Sequence, residues 1–215
     1  MRLELGASVR CEGDVLGELA DVVIDPTTKR VTHLVVQPHH DIARLVPIEL
    51  AQEAHGQEIS LRCTVEEMRQ FAPVHEFAYL RLGEFPVDDP DWDVGVQELL
   101  AMPYYEPGLD SVSYGADAGI TYDRVPKGEV EVRRASPVTS ADGHHLGHVD
   151  GFVVDGEQIT HIVLEHGHLW GRRDLTVPIA AVAKVETDAV TLSLSKDEIG
   201  ALKGVSVRRW HHGTS

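Results

Sequence analysis

The order of apolar and polar positions along the chain predicts short strands over most of its length. Val9 and Cys11 alternate with polar neighbours, and residues 31–36 form a β-branched run that predicts the most buried strand. Residues 45–48 and 59–61 are shorter apolar runs of the same kind. Glycine, aspartate and proline cluster between these runs and have the chemistry of turns. The pattern therefore predicts an all-β fold with minor α.

One stretch of this pattern occurs twice. Residues 16–36 read LGELADVVIDPTTKRVTHLVV, and residues 146–164 read LGHVDGFVVDGEQITHIVL. Each has a Leu-Gly step, an apolar run, an Asp-led turn and a second run that opens with Val/Ile-Thr-His. The copies differ in length only at turns, where insertions cost little free energy. We therefore interpret the chain as an internal duplication.

The duplication predicts the domain organisation. Residues 1–72 form a first domain, residues 73–130 an acidic insert, residues 131–205 a second domain and residues 206–215 a C-terminal tail. Each domain is expected to end in a short helix, because Thr64 with Glu67 has the spacing of a capping box, and residues 195–199 repeat the pattern of residues 64–68.

The ordered set of repeated residues resembles the PRC-barrel family, which includes the cytoplasmic domain of the photosynthetic reaction-centre H subunit and the C-terminal domain of RimM-type ribosome maturation factors. The residues that carry the resemblance are Gly13, Leu16, Gly17, Asp25, His33 and Pro47, and in the second copy Gly143, Leu146, Gly147, Asp155, His161 and Pro178. The resemblance implies two small, strongly bent antiparallel SH3-like β-barrels that act as docking modules. It carries over no catalytic residue.

The insert contains a candidate helix near residues 91–101. Trp92, Val96, Leu99 and Leu100 have helical spacing, and Asp91 is a suitable N-cap. A disordered linker would not need the aromatic residues found here. We expect this partly helical insert to join the two barrels and to pack on one or both of them, or on a second subunit.

Charge narrows the range of partners. The net charge is −16, and residues 73–130 hold 3 basic against 12 acidic residues, a net −9. An acidic chain without a basic stripe repels phosphate, so direct nucleic-acid binding and an anionic membrane surface are disfavoured. No apolar run approaches the roughly 20 residues of a membrane span, and the first residues lack the features of a signal peptide. We expect a cytoplasmic protein.

The two cysteines predict no disulfide framework. Cys11 and Cys63 both fall in candidate strands of the first copy. A small buried thiol is the ordinary role for a cysteine at such a position.

No ligand set predicts a metal or a cofactor. Asp89, Asp91 and Asp93 recur at every second residue, but a calcium loop beginning at Asp89 requires glycine and glutamate where Val94 and Leu100 stand. The 13 histidines include no zinc-binding spacing such as His-Glu-x-x-His. The sequence also lacks a Walker loop, a Gly-x-Ser-x-Gly elbow and a dinucleotide fingerprint. We therefore expect a protein that is not an enzyme.

A loop of the second copy has the composition of an interface. Trp170, Arg172 and Arg173 combine an aromatic ring with two guanidinium groups, a set that is enriched in interface hot spots. The alternative is that Trp170 packs on its own barrel or on the insert while the arginines pair with the acidic middle of the chain. The first copy has residues 39–44 at the equivalent place.

Two histidines hold equivalent places in the copies. If the copies pack about a pseudo-twofold axis, His33 and His161 lie near one another or at matching sites. The alternative is that each is a half-buried strand histidine that satisfies a hydrogen bond.

These features together predict a non-catalytic adaptor or scaffold that binds another protein. Trp170, Arg172, Arg173, His33 and His161 form its candidate interaction surface, and the duplication leaves homodimerisation open. The alternative function is a small-ligand or metal-responsive sensor that uses the cleft between the barrels.

Overall fold

The computed structural model describes residues 1–53, 58–81, 92–101, 117–134, 136–166, 173–186 and 189–201. Within these ranges the chain forms seventeen strands, two α-helices of six residues each and two 3-10 turns. The predicted all-β class with minor α is therefore confirmed.

The first half contains seven strands and one helix. They are β1 (Arg2–Glu4), β2 (Ser8–Cys11), β3 (Asp14–Asp25), β4 (Arg30–Pro38), β5 (Arg44–Pro47), a 3-10 turn (Ile48–Leu50), β6 (Ala51–Glu53), β7 (Glu58–Leu61) and α1 (Val65–Gln70). The insert then contributes β8 (His75–Arg81), β9 (Trp92–Ala101) and β10 (Asp117–Pro126).

The second half repeats this order. Its elements are β11 (Val130–Arg133), β12 (Pro137–Thr139), β13 (His145–Asp155), β14 (Gln158–His166), β15 (Arg173–Pro178), a 3-10 turn (Ile179–Ala181), β16 (Val182–Glu186), β17 (Ala189–Leu192) and α2 (Lys196–Ala201). In both halves a proline, Pro47 or Pro178, ends a strand and stands directly before the 3-10 turn.

Each half pairs its strands in the same order. The order is β5-β4-β3-β2-β7-β6 in the first half and β15-β14-β13-β12-β17-β16 in the second. The pairs β2·β7 and β12·β17 are parallel and the others are antiparallel, so the sheet is mixed. Among the described residues no strand pairing links β5 to β6 or β15 to β16, and closure into two barrels is therefore not shown.

The two halves exchange their first strands. β1 pairs with β13 of the second half, with Leu3 opposite Phe152, and β11 pairs with β3 of the first half, with Val132 opposite Val22. All four of these residues have no exposed surface. Each exchanged strand therefore fills a position in the core of the opposite half.

The hairpin turns of the two halves also meet. The amide of Val31 donates to the carbonyl of Glu157 at 2.9 Å, and the amide of Ile159 donates to the carbonyl of Lys29 at 3.1 Å. This reciprocal pair joins β4 to β14, and with the strand exchange it relates the halves by an approximate twofold axis. One cluster of buried apolar residues runs through both halves as a result.

The insert is attached to the back of the first half. Val23 and Val35 form a second buried cluster with Ala43, Val74 and Val125, against which Trp92 packs. Because these side chains point away from the main core, β3 and β4 are covered on both faces. This explains why the three consecutive apolar residues Leu34, Val35 and Val36 are all fully buried.

The prediction of a helix near residues 91–101 is wrong. These residues form strand β9, which pairs with β10, and β10 pairs with β8 to give a separate three-stranded sheet. Trp92, Val94 and Val96 alternate with polar or small residues, which is the strand period of two, and this signal competed with the helical spacing of Val96, Leu99 and Leu100. Pairing along β10 decides between the two.

Among the described residues no helix is long and apolar enough to cross a membrane. The predicted tail, residues 206–215, lies outside the described residues.

Candidate functional site

The loop with interface composition lies largely outside the described residues. Trp170 and Arg172 fall between β14 and β15 in a range that is not described, and Arg173 is the first residue of β15, opposite His166. The proposed role of these three residues therefore stays a prediction. The equivalent loop of the first half, between β4 and β5, is described in full.

His33 and His161 occupy matching environments on β4 and β14. Each lies opposite a proline, Pro47 or Pro178. In each, the ring Nδ1 lies 3.1 Å from the hydroxyl oxygen of the preceding threonine. Both side chains are partly buried. This geometry fits the strand histidine that satisfies a hydrogen bond.

The surroundings of His33 include a carboxylate. Glu129, just before β11, accepts a hydrogen bond from the Thr32 hydroxyl at 2.5 Å and lies 3.6 Å from Nδ1 of His33. This contact arises from the strand exchange, because β11 brings Glu129 to the first half.

A shallow depression lies where the hairpin turns of the two halves meet. Its volume is about 480 Å³, and Glu157 is the residue that the second half contributes to its lining. His33 lines it, with residues of the turn before β4 and of the 3-10 turn after β5, whereas His161 does not. The depression is therefore lined by residues of both halves, but of the two histidines only His33 lies in its lining.

A second cavity, which we call the β4–β5 groove, lies at the end of the first half. Its volume is about 340 Å³. It is lined by Val15, Leu16, Pro38, His39, His40, Asp41, Arg44, Val65, Met68 and Arg69. The start of β3, the loop between β4 and β5, and one face of α1 thus form its walls.

The residues of helix α1 that line the groove are spaced so that they share one face of the helix. Val65, Met68 and Arg69 stand at i, i+3 and i+4, so they share one face of the helix. A complete capping box fixes its first turn: the Thr64 hydroxyl accepts from the Glu67 amide, and the Glu67 carboxylate accepts from the Thr64 amide. Met68 is buried and anchors the helix to the core.

The edge of the groove exposes apolar surface. Val15 is 50% exposed and Ile42 is 49% exposed, and these are the exposed large hydrophobic residues of the part of the chain that the structure describes. Val15 lines the groove, and Ile42 directly follows its lining residue Asp41. Exposed apolar side chains therefore lie in the lining of this concave site and next to it in sequence, and exposed apolar surface can mark an interaction site.

Cationic groups stand at the same edge. Arg44 donates to the Phe71 carbonyl at 3.0 Å, and its second terminal nitrogen lies 3.6 Å from Asp41. Arg69 has no acidic partner among the described side chains. The groove therefore offers apolar walls, the guanidinium group of Arg44 paired with Asp41, and the guanidinium group of Arg69, which no described carboxylate pairs.

A pair of thiols lies behind α1. The sulfurs of Cys11 and Cys63 are 3.8 Å apart, both residues are buried, and the Cys11 thiol donates to the Cys63 carbonyl. Burial raises the pKa of the Cys11 thiol, and burial together with the hydrogen bond to Cys11 raises the pKa of Cys63 to about 12. Both sulfurs are therefore protonated at neutral pH and poorly nucleophilic.

Among the residues described, no group of three histidine, cysteine or acidic side chains could hold a metal ion.

The comparisons with known proteins concern the second half. Residues 132–200 match a family described as an uncharacterised protein conserved in bacteria (DUF2171), which covers less than half of the chain. The resemblance to the PRC-barrel family is wrong, because no PRC-barrel family is detected and the matching family is a different one. Most of the residues behind that resemblance are glycine, aspartate or proline at bends, which many sharply bent hairpins require. No curated protein matches the chain.

The β4–β5 groove was not predicted from the sequence. Leu16 and residues 64–68 were recognised only as repeated elements, and nothing along the chain places Val15 beside α1. The available signal was the exposed apolar residue Ile42 in a polar loop, at the place where the other half has Trp170.

Proposed function

We propose that this chain is a non-catalytic protein-interaction module, an adaptor or scaffold of the cytoplasm, and that it binds its partner through the β4–β5 groove. The observation that carries the proposal is the position of Val15 and Ile42. A monomeric domain gains nothing from placing both residues in water beside a cavity, whereas a partner that covers them removes their apolar surface from water at roughly 25 cal/mol per Å².

The second half has a loop equivalent to the loop of the groove, and this loop extends the proposal to both halves. The loop with Trp170, Arg172 and Arg173 stands between β14 and β15, as the loop of the groove stands between β4 and β5. A Trp-Arg loop and an apolar-Arg groove at equivalent places suggest that both halves contribute to binding. We also propose that each half is a small barrel, since the three-residue 3-10 turns bring β6 and β16 directly after β5 and β15.

Affinity capture of the tagged full-length chain from its native cells tests this function. We expect one protein partner in stoichiometric amount with the wild type and at least a tenfold loss with the double variant Val15→Ser, Ile42→Ser. The control, Ala141→Ser with Ala180→Ser, changes exposed residues outside the groove and should retain the partner. Retention of the partner by the Val15, Ile42 variant would exclude the groove as the interface.

A ligand-responsive sensor is the second candidate. The supporting observation is the depression between the halves, which has a volume of about 480 Å³ and is lined by His33, Glu49 and Glu157 among others. A cationic metabolite bound there would bridge the halves and raise the melting temperature. Thermal-shift measurements with small diamines, repeated on His33→Ala, test it, and His161→Ala is the matched control. An unchanged melting temperature with every ligand would reject this candidate.

A further inference from the structure

We propose that the occupant of the β4–β5 groove is a short extended peptide segment that carries a bulky apolar side chain next to carboxylates. The inference rests on the proposed function, since it specifies the chemistry of the partner at the same site.

The size of the groove favours a peptide over a broad protein face. Its volume of about 340 Å³ lies at the small end of the range of roughly 300–1,000 Å³ for ligand pockets. One or two large side chains fill such a space. Val15 and Ile42 extend the apolar surface beyond the cavity, so a segment that continues past the inserted side chain covers them as well.

The lining selects an apolar side chain. Leu16 and Val65 are partly exposed and supply aliphatic surface from two different elements. Met68 and Pro38 also line the groove, but they are buried and add little accessible surface. Such a lining favours an apolar side chain.

The charge at the edge selects carboxylates. In a chain of net charge −16, two of the three charged residues that line the groove are arginines. The third, Asp41, is already engaged, because its carboxylate accepts from the Ile42 amide at 2.8 Å and lies 3.6 Å from Arg44. Among the described residues no carboxylate pairs with Arg69, so its charge is available at the groove. A carboxylate beside the apolar anchor complements this guanidinium group.

The same charge balance argues against a nucleic-acid occupant. A phosphate backbone would approach an isolated pair of arginines on a chain whose total charge repels it. A short acidic peptide carries few charges and is anchored by its apolar group. Its attraction to the arginines of the groove therefore outweighs its repulsion by the net charge of the chain.

Selection from a random heptapeptide display library against the intact chain tests the proposal. We expect the enriched peptides to combine a leucine, phenylalanine or tryptophan with at least two neighbouring aspartates or glutamates. A synthetic fluorescent copy of one enriched peptide then gives affinities by fluorescence polarisation. Higher salt should weaken its binding, because the arginine contact is exposed.

Three variants separate the apolar and the charged contributions. Val15→Ser removes apolar surface, and Arg69→Glu reverses the unpaired charge; each should lower the affinity on the order of tenfold. Lys127→Glu is the matched control, since it makes the same charge change at an exposed position outside the groove. It should leave the affinity within about twofold of the wild type, and all three proteins should keep the wild-type circular dichroism spectrum.

Three results would overturn the inference. They are a selection without enrichment, enrichment of basic or uncharged peptides, and an affinity that Arg69→Glu and Lys127→Glu change equally. If capture from cells depends on Val15 and Ile42 while the selected peptides show no acidic preference, the interaction function stands and only the chemistry assigned to the partner fails.

Discussion

Gly17 sets the distance between β3 and β4 at the edge of the groove. A Cβ built there would lie 2.0 Å from the Gln37 carbonyl oxygen and 2.7 Å from the Pro38 Cα, and both are backbone atoms that cannot rotate away. We expect Gly17→Ala to lower the free energy of unfolding by about 1–3 kcal/mol, as overpacking does. It should also weaken binding at the groove, because Pro38 is one of its walls.

Urea unfolding measures this effect, and α2 offers a matched control. A Cβ on Gly200 meets nothing within 4 Å. Gly200→Ala should therefore stabilise the chain by up to about 1 kcal/mol through helix propensity. Equal midpoints for Gly17→Ala and the wild type would show that the two strands are not held this closely.

The raised pKa of the Cys63 thiol predicts that the chain loses stability at high pH. Its pKa in the folded chain is about 12, raised from 9.0 mainly by burial. As the pH rises above about 9, the unfolded chain loses this proton first, so the contribution to stability is complete below that pH and declines towards pH 12. Between about pH 8 and about pH 10.5, the wild type should therefore lose more unfolding free energy than Cys63→Ser. The same loss in both would contradict the raised pKa.

At the scale of single residues, the sequence predicted chemical character better than position. The burial of Cys11 and the hydrogen-bonded setting of His33 follow from local strand patterns. Cys63 is buried as well, but the prediction that it lies in a strand is wrong, because it lies in the bend between β7 and α1. The exposure of Val15 does not, because it depends on how the β2–β3 turn lies against α1. Such contacts between distant segments leave no mark on the residues next to Val15 in sequence.

Among the elements, α1 and α2 are the ones whose local sequence determines where they begin. The predicted capping box of Thr64 with Glu67 is present before α1. Ser195 and Glu198 make the equivalent contacts before α2, where the Glu198 carboxylate accepts from the Ser195 amide at 2.8 Å. Backbone and side-chain hydrogen bonds from Ser195 lower the pKa of Glu198 accordingly. Capping is local chemistry, so it was readable from the sequence.

Removal of the cap tests whether α1 forms part of the binding site. We expect Thr64→Ala to cost about 1 kcal/mol of stability, because the Glu67 amide loses its acceptor. Peptide affinity at the groove should fall as well, since Val65 and Arg69 lie in this helix. Thr64→Ser keeps the hydroxyl and should behave like the wild type in both the urea and polarisation measurements. Unchanged affinity for Thr64→Ala would separate α1 from the site.

Strand β9 shows the opposite case. Residues 92–101 satisfy a strand period at their start and a helical spacing at their end, so local sequence leaves the element undecided. The long pairing of β10 with both β9 and β8 supplies the backbone hydrogen bonds that favour the strand. Pairing partners far away in sequence, and not the residues themselves, determined this element.

For the whole molecule, the exchanged strands make the halves depend on each other. Leu3 is fully buried opposite Phe152 in the second half. We expect Leu3→Ala to cost about 2–5 kcal/mol and to destabilise both halves in a single transition. Val132→Ala is its counterpart on β11 and should act on the same transition. If the halves unfolded independently, Leu3→Ala would speed hydrogen exchange in only one of them. Hydrogen exchange along β4 and β14 distinguishes these outcomes.

The sequence predicted the repeated hairpins but not the exchange. Leu-Gly steps and Asp-led turns specify each hairpin locally. β1 and β11 are only three and four residues long, and nothing in their composition says which half they join. The equivalent places of His33 and His161 in the two copies were compatible with an approximate twofold axis. The reciprocal hydrogen bonds of Val31 and Ile159 are the contacts that such an axis requires.

The proposed binding surface lies where the two halves differ, and cross-linking inside the native cell tests this proposal most directly. A photoreactive amino acid is placed in the full-length chain at position 15, at position 42 or, as a control outside the groove, at position 127. We expect a covalent adduct with the same protein partner from positions 15 and 42 and none from position 127. Adducts from position 127 alone, or the same adducts from all three positions, would contradict it.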